Sequence, residues 1–280
     1  MNVIENLNFI LPPILEQTAI ANFLDHKTAE IDQTIADKKQ LINLFEEEKK
    51  ALINEAVTKG LNPDVKFKSS GIDWLGDIPA HWEVKKLKRV SSKIGDGIHA
   101  TPEYIDESEY YFINGNNLNE GNINISKNTK CVAKEEFEKY NLNLRFGTIL
   151  ISINGTIGNL AFYSGQEIVL GKSACYIEPL EVLYNSFLFY QLKTEFVFNS
   201  FETSLSGTTI KNLSLNTIIN LKVLLPPLSE QTAIVNHIET ETAKINSKIH
   251  LVKQEIELLS EYKKALIFEA VTGKIDVQEA

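Results

Sequence analysis

Apolar residues recur at heptad spacing, with a second row four residues on, in two stretches of about 44 residues towards the two ends of the chain. The rows include Leu24, Ile31, Ile35, Ile42 and Leu52 in the first stretch, and Ile238, Ile245, Ile249, Val252, Ile256, Leu259 and Leu266 in the second. Alternating steps of three and four residues place such side chains on one face of an α-helix and are typical of a coiled-coil seam. The pattern therefore predicts two long helices, each roughly 65 Å long at 1.5 Å per residue. Because the chain must go out along one helix and return along the other, we expect them to pair antiparallel.

The two stretches are copies of each other. The segment LPPILEQTAI at Leu11 returns as LPPLSEQTAI at Leu225, and the match continues at a constant offset of 214 residues to Thr58 and Thr272, with 27 of 48 positions identical. The match also extends backwards. At the same offset, four earlier residues are identical in the two copies: Asn2, Ile4, Asn6 and Leu7 correspond to Asn216, Ile218, Asn220 and Leu221. We interpret residues 1–10 as a remnant of the closing strand of a second domain.

The residues between the helices predict a β-rich domain. Short apolar runs separated by turn residues are typical of strands, for example residues 110–113, 148–153, 160–163 and 174–177. Residues 185–201 are long and aromatic enough for one or two helices. The predicted fold class is α+β, with one β-rich globular domain flanked by two long antiparallel coiled-coil helices. The predicted segments are 1–10 (remnant strand), 11–60 (first long helix), 61–73 (linker), 74–225 (middle domain), 226–274 (second long helix) and 275–280 (tail).

The turns of this domain are rich in amide and hydroxyl side chains, and they supply most of the candidate DNA-binding residues. The candidates are His99, Thr101, Asn114, Asn116, Asn117, Asn154, Thr156, Lys172, Ser206, Thr208, Thr209, Lys211 and Asn212. Asn can bridge N6 and N7 of adenine, Lys can reach guanine, and Ser or Thr can contact a base or a phosphate. Asn and Gly also form tight turns for backbone reasons alone, so both interpretations remain open for each loop.

The charge of the chain limits any nucleic-acid hypothesis. The net charge is −9, which repels a duplex at long range. Residues 75–226, however, carry 14 Lys and Arg against 16 Asp and Glu, so most of the acidic excess lies in the helices. A basic stretch completes the candidates: Lys85, Lys86, Lys88, Arg89 and Lys93. It could face phosphates or form an ordinary solvated surface.

The sequence predicts neither a membrane span nor a catalytic or metal site. It has no run of 18 apolar residues and no signal-peptide pattern at its start, and Cys131 and Cys175 fit no metal-ligand spacing. We expect reduced thiols and a cytoplasmic protein. There is no glycine-rich dinucleotide motif, phosphate loop or methyltransferase motif, and the five histidines do not cluster.

In several motifs the chain resembles the specificity (S) subunits of type I restriction-modification enzymes. Residues 72–84, IDWLGDIPAHWEV, look like the opening of a target-recognition domain. Other conserved parts of that family are similar to the strand GTILIS at 147–152 with the turn GTIG at 155–158, to the loop GTTIKNL at 207–213 and to the LPPxxEQ entry to each long helix. The family usually runs domain, spacer, domain, spacer, whereas this chain runs spacer, domain, spacer. It therefore resembles a half-subunit with one target-recognition domain.

The resemblance implies a DNA-reading subunit without chemistry of its own. Methyltransferase (M) subunits would dock on it and use S-adenosylmethionine, and a restriction (R) subunit would add ATP- and Mg²⁺-dependent translocation and cleavage. The partners implied are double-stranded DNA, M and R subunits, and either a second copy of this chain or a chain carrying the other recognition domain. The target would then have two parts. Our hypothesis from the sequence is that two copies of the chain associate and present two identical domains, so that the target is symmetric and interrupted.

Two other functions remain open. The chain could be a non-enzymatic coiled-coil interaction protein whose middle domain binds protein or another ligand, which the acidic charge favours. A nuclease built on the isolated pair Glu83 and Lys85 has little support, since no partner acids accompany it.

Overall fold

A computed structural model describes residues 11–72, 74–204 and 212–277, which form two compact units. The coil unit comprises the described residues up to Lys49 and from Glu241 onward, and the domain unit comprises those in Lys50–Thr240. The helices are α1 (Ile14–Lys59), α2 (Lys134–Tyr140), α3 (Asn185–Leu192), α4 (Glu195–Glu202), α5 (Leu215–Asn220) and α6 (Leu228–Val271). The strands are β1 (Phe67–Ser69), β2 (Asp77–Pro79), β3 (Glu83–Lys86), β4 (Ser91–Asp96), β5 (Tyr104–Ile105), β6 (Tyr111–Ile113), β7 (Leu118–Asn119), β8 (Asn122–Ile123), β9 (Cys131–Val132), β10 (Ile149–Ser152), β11 (Leu160–Phe162), β12 (Ile168–Leu170), β13 (Ala174–Pro179) and β14 (Lys222–Leu225).

In the coil unit, α1 and α6 pair antiparallel along the predicted seam. The seam side chains in both units are buried or half-buried: Leu24, Ile31, Ile35, Ile42, Leu52, Ile238, Ile245, Ile249, Val252, Ile256, Leu259 and Leu266. Two interhelical ion pairs show the direction of the helices. Lys38 Nζ lies 2.6 Å from Glu255 Oε2, and Asp32 Oδ2 lies 2.6 Å from Lys263 Nζ. The partner number in α6 rises as the number in α1 falls, as antiparallel packing requires.

The sequence repeat becomes an approximate two-fold symmetry of the coil. Lys49 Nζ donates to Asn246 Oδ1 at 3.2 Å, while Lys263 donates to Asp32. At the offset of 214 residues Lys49 corresponds to Lys263 and Asp32 to Asn246, so this is one contact made twice. Polar residues at seam positions fix the register of a coiled coil, and these two contacts fix it from both halves.

The core of the domain unit lies on both faces of an antiparallel sheet ordered β11-β10-β13-β4. Successive side chains of a strand point to opposite faces. Accordingly Ile149 and Ile151 of β10 join the main core, while Leu150 joins a second apolar cluster. A second sheet has the order β12-β6-β9-β5, with β12 parallel to β6. Burial on both faces explains why β10 reads as a continuous apolar run rather than an alternating one.

The helix ends that belong to the domain unit pack against the domain through Trp82. This side chain is fully buried in the main core together with Val57 of α1 and Ile234 of α6. Nearby, β3 pairs antiparallel with β14, which leads into α6. The amide of Gln231, also fully buried, accepts from Tyr184 N at 2.7 Å and donates to the carbonyls of Val182 and Pro226 at 2.9 Å each.

The predicted α+β fold class is confirmed, with a sheet-rich middle part between two long antiparallel helices. The four apolar runs proposed as strands correspond to β6, β10, β11 and β13, and residues 185–201 form α3 and most of α4. The segment interpreted as a linker contains β1, which pairs with β2. The remnant strand proposed for residues 1–10 lies outside the described residues. Within the described part of the chain, no helix has an apolar stretch long enough to cross a membrane.

Candidate nucleic-acid interface

Most of the predicted recognition loops meet at one edge of the domain. Strand β13 is antiparallel to both β4 and β10, so β4 and β10 end where β13 begins. The parallel strands β6 and β12 also end beside each other. We call this border the loop edge and define it by the segments 97–101, 114–117, 153–159 and 171–173. Loops gathered on a rigid sheet are a common location for recognition residues.

Backbone hydrogen bonds hold the loops of this edge together. Lys172 N donates to Ile98 O at 3.0 Å, and Gly171 N donates to Ile113 O at 2.8 Å. Ile153 N donates to the carbonyl of Ser173 at 2.9 Å. Asn154 is bridged to Asn212, which places this last candidate at the same edge. The segment 171–173 therefore touches three other loops and is the centre of the edge.

Two glycines permit this close approach. A Cβ atom at Gly97 would lie 2.1 Å from the carbonyl oxygen of Leu170. A Cβ atom at Gly171 would lie 2.4 Å from Asn114 Oδ1. Since neither neighbour is the flexible end of a long side chain, any larger residue would force the loops apart.

Two of the candidate asparagines are engaged in shaping the loop. Asn114 Oδ1 accepts a hydrogen bond from Ser173 Oγ at 2.9 Å. The amide of Asn117 accepts from Asn114 N at 2.9 Å and donates to Asn124 O at 3.2 Å. These bonds cap the short 3₁₀ helix Gly115–Asn117. At these two positions, therefore, asparagine shapes a turn of the backbone.

Other candidates at the loop edge present their side chains to solvent. Asn116, Lys172, Thr101 and Thr156 are exposed and make no side-chain hydrogen bond within the described ranges. His99 is also exposed, but its Nε2 lies 2.9 Å from Asp96 Oδ2. These four exposed side chains therefore offer one unpaired amide, two hydroxyls and one unpaired ammonium group.

The basic stretch lies at the opposite end of the sheet. Lys85 and Lys86 lie on β3, and the backbone after Arg89 meets the end of β13, where Leu180 N donates to Val90 O at 2.9 Å. β13 separates this end from the loop edge by about 17 Å, since a strand rises about 3.4 Å per residue. Lys93, within β4, lies between the two ends. The side chains of Lys85, Lys86, Lys88, Arg89 and Lys93 are exposed, but they are not grouped with the amide-rich loops.

Four candidates, Ser206, Thr208, Thr209 and Lys211, lie outside the described residues. Sequence reasoning, in turn, did not single out Ser173. Its hydroxyl accepts from Gly115 N at 2.8 Å and donates to Asn114 Oδ1, so it links two loops. Nothing in the sequence marks this serine, because its partners lie 58 and 59 residues away in the chain.

The two cysteines are buried free thiols. Burial raises the pKa of the Cys175 thiol far above its ordinary value, so this group stays protonated at neutral pH. Across the described ranges, no three His, Cys, Asp or Glu side chains are grouped as a metal ion would require.

Comparisons with known proteins agree on one family. The family model described as the type I restriction modification DNA specificity domain matches residues 79–258. The type I restriction enzyme MjaVIII specificity subunit of Methanocaldococcus jannaschii is 28% identical over 284 residues, which cover 99% of this chain and 64% of that protein. The putative MjaX specificity subunit of the same organism is 26% identical and matches 98% of this chain and 61% of its own length.

Two solved structures share the fold. The HsdS subunit from Thermoanaerobacter tengcongensis superposes with a TM-score of 0.58 at 18% identity, over 95% of this chain and 61% of that one. A chain from a structure of a type I R-M system gives a TM-score of 0.68 at 19% identity, over 93% of this chain and 60% of that one. This chain thus spans 60 to 64% of the length of these four proteins.

Proposed function

Because the chain belongs to the type I restriction-modification DNA specificity family, we propose that it reads a DNA sequence with its loop edge and directs partner subunits to that sequence. The chemistry would lie in those partners: adenine methylation with S-adenosylmethionine in the M subunits, and ATP- and Mg²⁺-dependent cleavage in an R subunit. The chain itself would contribute no catalytic group.

The convergence of the candidate loops on one border of the sheet carries this proposal. Four loops, which follow β4, β6, β10 and β12, meet at the loop edge and present an unpaired amide, hydroxyls and a lysine on a scaffold locked by backbone hydrogen bonds. These groups match the donors and acceptors displayed in the major groove of DNA. The edge is compact enough for one half-site, so a target in two parts requires a second reading domain.

The repeat of the helices supports a docking site for that second domain near the C-terminal end of α6, which is equivalent by the repeat to the C-terminal end of α1. Val57, which packs with Trp82 in the domain unit, is fully buried, whereas its repeat equivalent Val271 is 47% exposed. Ile53 is 8% exposed and its equivalent Ile267 is 37% exposed. The same apolar side chains are thus covered at one end of the helix pair and uncovered at the other.

The glutamine near the start of each long helix shows the same difference in its hydrogen bonds. Gln231 bonds the carbonyl of Pro226 and two backbone groups of the domain, at Tyr184 and Val182. Among the described residues, the side chain of Gln17, its repeat equivalent, bonds only Pro12 O, at 2.7 Å. We propose that a second recognition domain supplies the missing contacts.

The source of the second domain follows from the same comparison. In this chain the surface around Trp82 is already filled by the chain's own helix ends. A second identical copy therefore has no free equivalent surface to offer. We propose that a separate recognition domain of the same kind occupies the site, in preference to self-pairing. Light scattering of the purified chain at micromolar concentration tests this point, and a stable dimer would contradict it.

The outer face of the coil supports a docking place for an M subunit. Thr34, Leu258 and Tyr262 line an apolar groove between the two helices. Leu41 and Leu44 continue this surface on α1, and Leu251 continues it on α6 by the helical period. We call these residues, Thr34, Leu41, Leu44, Leu251, Leu258 and Tyr262, the outer apolar face. Contiguous exposed apolar surface on a helix pair is typical of a protein interface.

The DNA-binding part of the proposal is tested with the purified full chain and a pool of random-sequence duplexes. We expect salt-dependent binding with enrichment of a short motif, because phosphate contacts position the protein and base contacts select the sequence. Absence of any enrichment, or no binding even at low salt, would support the alternative of an interaction protein.

The docking part is tested with two neighbouring substitutions. Leu44→Asp puts a carboxylate into the outer apolar face, where Leu44 is 53% exposed. Asn43→Asp adds the same group about 100° further round the helix. Co-purification with a methyltransferase subunit of a type I system from the same organism should be lost with Leu44→Asp and kept with Asn43→Asp. If the methyltransferase binds both variants equally, it does not dock on the outer apolar face.

A further inference from the structure

Resting on the proposed function, we infer that Asn116 and Lys172 read base identity at the loop edge, while Asn114 and Asn117 only shape it. Asparagine recognises adenine by giving its N–H to N7 and accepting from N6, so both ends of the amide must be free. Asn117 uses its oxygen on Asn114 N and its nitrogen on Asn124 O. Asn114 uses its oxygen on Ser173.

Asn116 satisfies this requirement. Its side chain is exposed and has no hydrogen-bond partner in the described segments of the chain. Its backbone is nevertheless fixed on both sides, because Gly115 N donates to Ser173 Oγ and Asn117 N donates to Asn114 O. A free amide on a fixed backbone loses little conformational entropy on binding a base, which favours specific recognition.

Lys172 is the corresponding cation. It is exposed and forms no ion pair with any described carboxylate, whereas His99 nearby is paired with Asp96 and the distant Arg145 is bound to the buried Glu178. Its backbone N is held by Ile98 O. An ammonium group so placed can reach O6 and N7 of guanine.

The two side chains lie on adjoining loops. Gly171, next to Lys172, approaches Asn114 so closely that a Cβ atom would be 2.4 Å from its Oδ1, and Ser173 on the other side bonds Gly115. Asn116 is two residues from Asn114, and Lys172 is next to Gly171, so both side chains lie close to the contact between Gly171 and Asn114. We infer that they read base pairs close to one another in one half-site, one an A·T pair and the other a G·C pair.

The experiment uses the full chain, a library of random-sequence duplexes and sequencing of the bound fraction, at one fixed salt concentration. The variants are Asn116→Ala and Lys172→Met. Each should lose preference at one motif position by about 5- to 150-fold, with the other positions retained. The controls are Lys88→Met, an exposed lysine at the opposite end of the sheet, which should leave the motif of the bound fraction unchanged, and Asn117→Ala, which should lower thermal stability because it removes two hydrogen bonds that shape the loop.

Three results would overturn the inference. The motif could be identical for wild type, Asn116→Ala and Lys172→Met, or Asn117→Ala could change one motif position without loss of stability. Lys172→Met could also weaken all sequences equally, as expected of a phosphate contact. Each leaves the proposed function standing, since the wild-type chain still selects a motif. If the wild type selects none, the proposed function fails and this inference fails with it.

Discussion

The most informative single substitution is Gln231→Leu, because the repeat provides a matched control. Leucine has a similar size but no hydrogen-bonding groups, so the change removes three bonds from a fully buried amide. A buried polar group left without a partner costs about 1–3 kcal/mol, and a partly buried hydrogen bond contributes about 0.5–1.5 kcal/mol. Pro226 O is buried, while the other two bonds are partly buried. We expect a loss of about 2–4 kcal/mol in the free energy of unfolding of the domain.

The control is Gln17→Leu, which removes one partly buried bond and should cost about 1 kcal/mol or less. Gln17 lies in the coil unit and Gln231 in the domain unit, and both units contain helix, so circular dichroism reports the effect of either substitution. In a thermal scan Gln231→Leu should lower Tm by about 4–16 °C, at about 2–4 °C per kcal/mol for a unit of this size. Equal shifts for the two variants would refute the claim that one end of the helix pair is occupied and the other is open.

Three further outcomes follow from the packing. Gly97→Ala should destabilise the domain by about 1–3 kcal/mol in urea unfolding and weaken DNA binding, because the new Cβ would lie 2.1 Å from Leu170 O; unchanged stability would contradict the close approach. In the coil, Ile249 lies at a seam position and is 4% exposed, so Ile249→Ala should lower the free energy of unfolding by about 2–4 kcal/mol, measured by circular dichroism. Leu251 is 58% exposed, so Leu251→Ala should lower it by less than about 0.5 kcal/mol, and the reverse order would place the seam elsewhere. Burial raises the pKa of the Cys175 thiol, so less reactive thiolate is present at any given pH. Iodoacetamide at mildly alkaline pH should therefore label this residue only after unfolding, and rapid labelling of the folded chain would show that the thiol is accessible.

The sequence was most informative where its signal was periodic. The heptad rows from Leu24 to Leu52 and from Ile238 to Leu266 predicted the helices and their seam, since a repeat of three and four residues is maintained by helix geometry. The apolar run of β10 predicted a strand, and the structure shows this strand buried on both faces. The antiparallel direction followed from connectivity, and the pairs Lys38–Glu255 and Asp32–Lys263 show it directly.

The sequence was least informative about the individual roles of residues at the loop edge. Asn114, Asn116 and Asn117 are chemically identical and close in sequence. Asn114 is held by Ser173, 59 residues away, and Asn117 by Asn114 N and Asn124 O, whereas Asn116 has no side-chain partner among the described residues. The basic stretch around Lys85 was grouped with the loops by composition, yet it lies at the other end of β13 because β4 carries the chain across the sheet between them. Such distinctions depend on contacts between distant parts of the chain, which no local pattern encodes.

The central claim is that the loop edge of this chain selects a DNA sequence for modification. Single-molecule sequencing of adenine methylation in the source organism, with the gene intact and deleted, tests it most directly. The account predicts that deletion abolishes methylation at one interrupted motif and leaves all other motifs unchanged. Identical methylation patterns in the two strains, in the presence of an active partner methyltransferase, would contradict it.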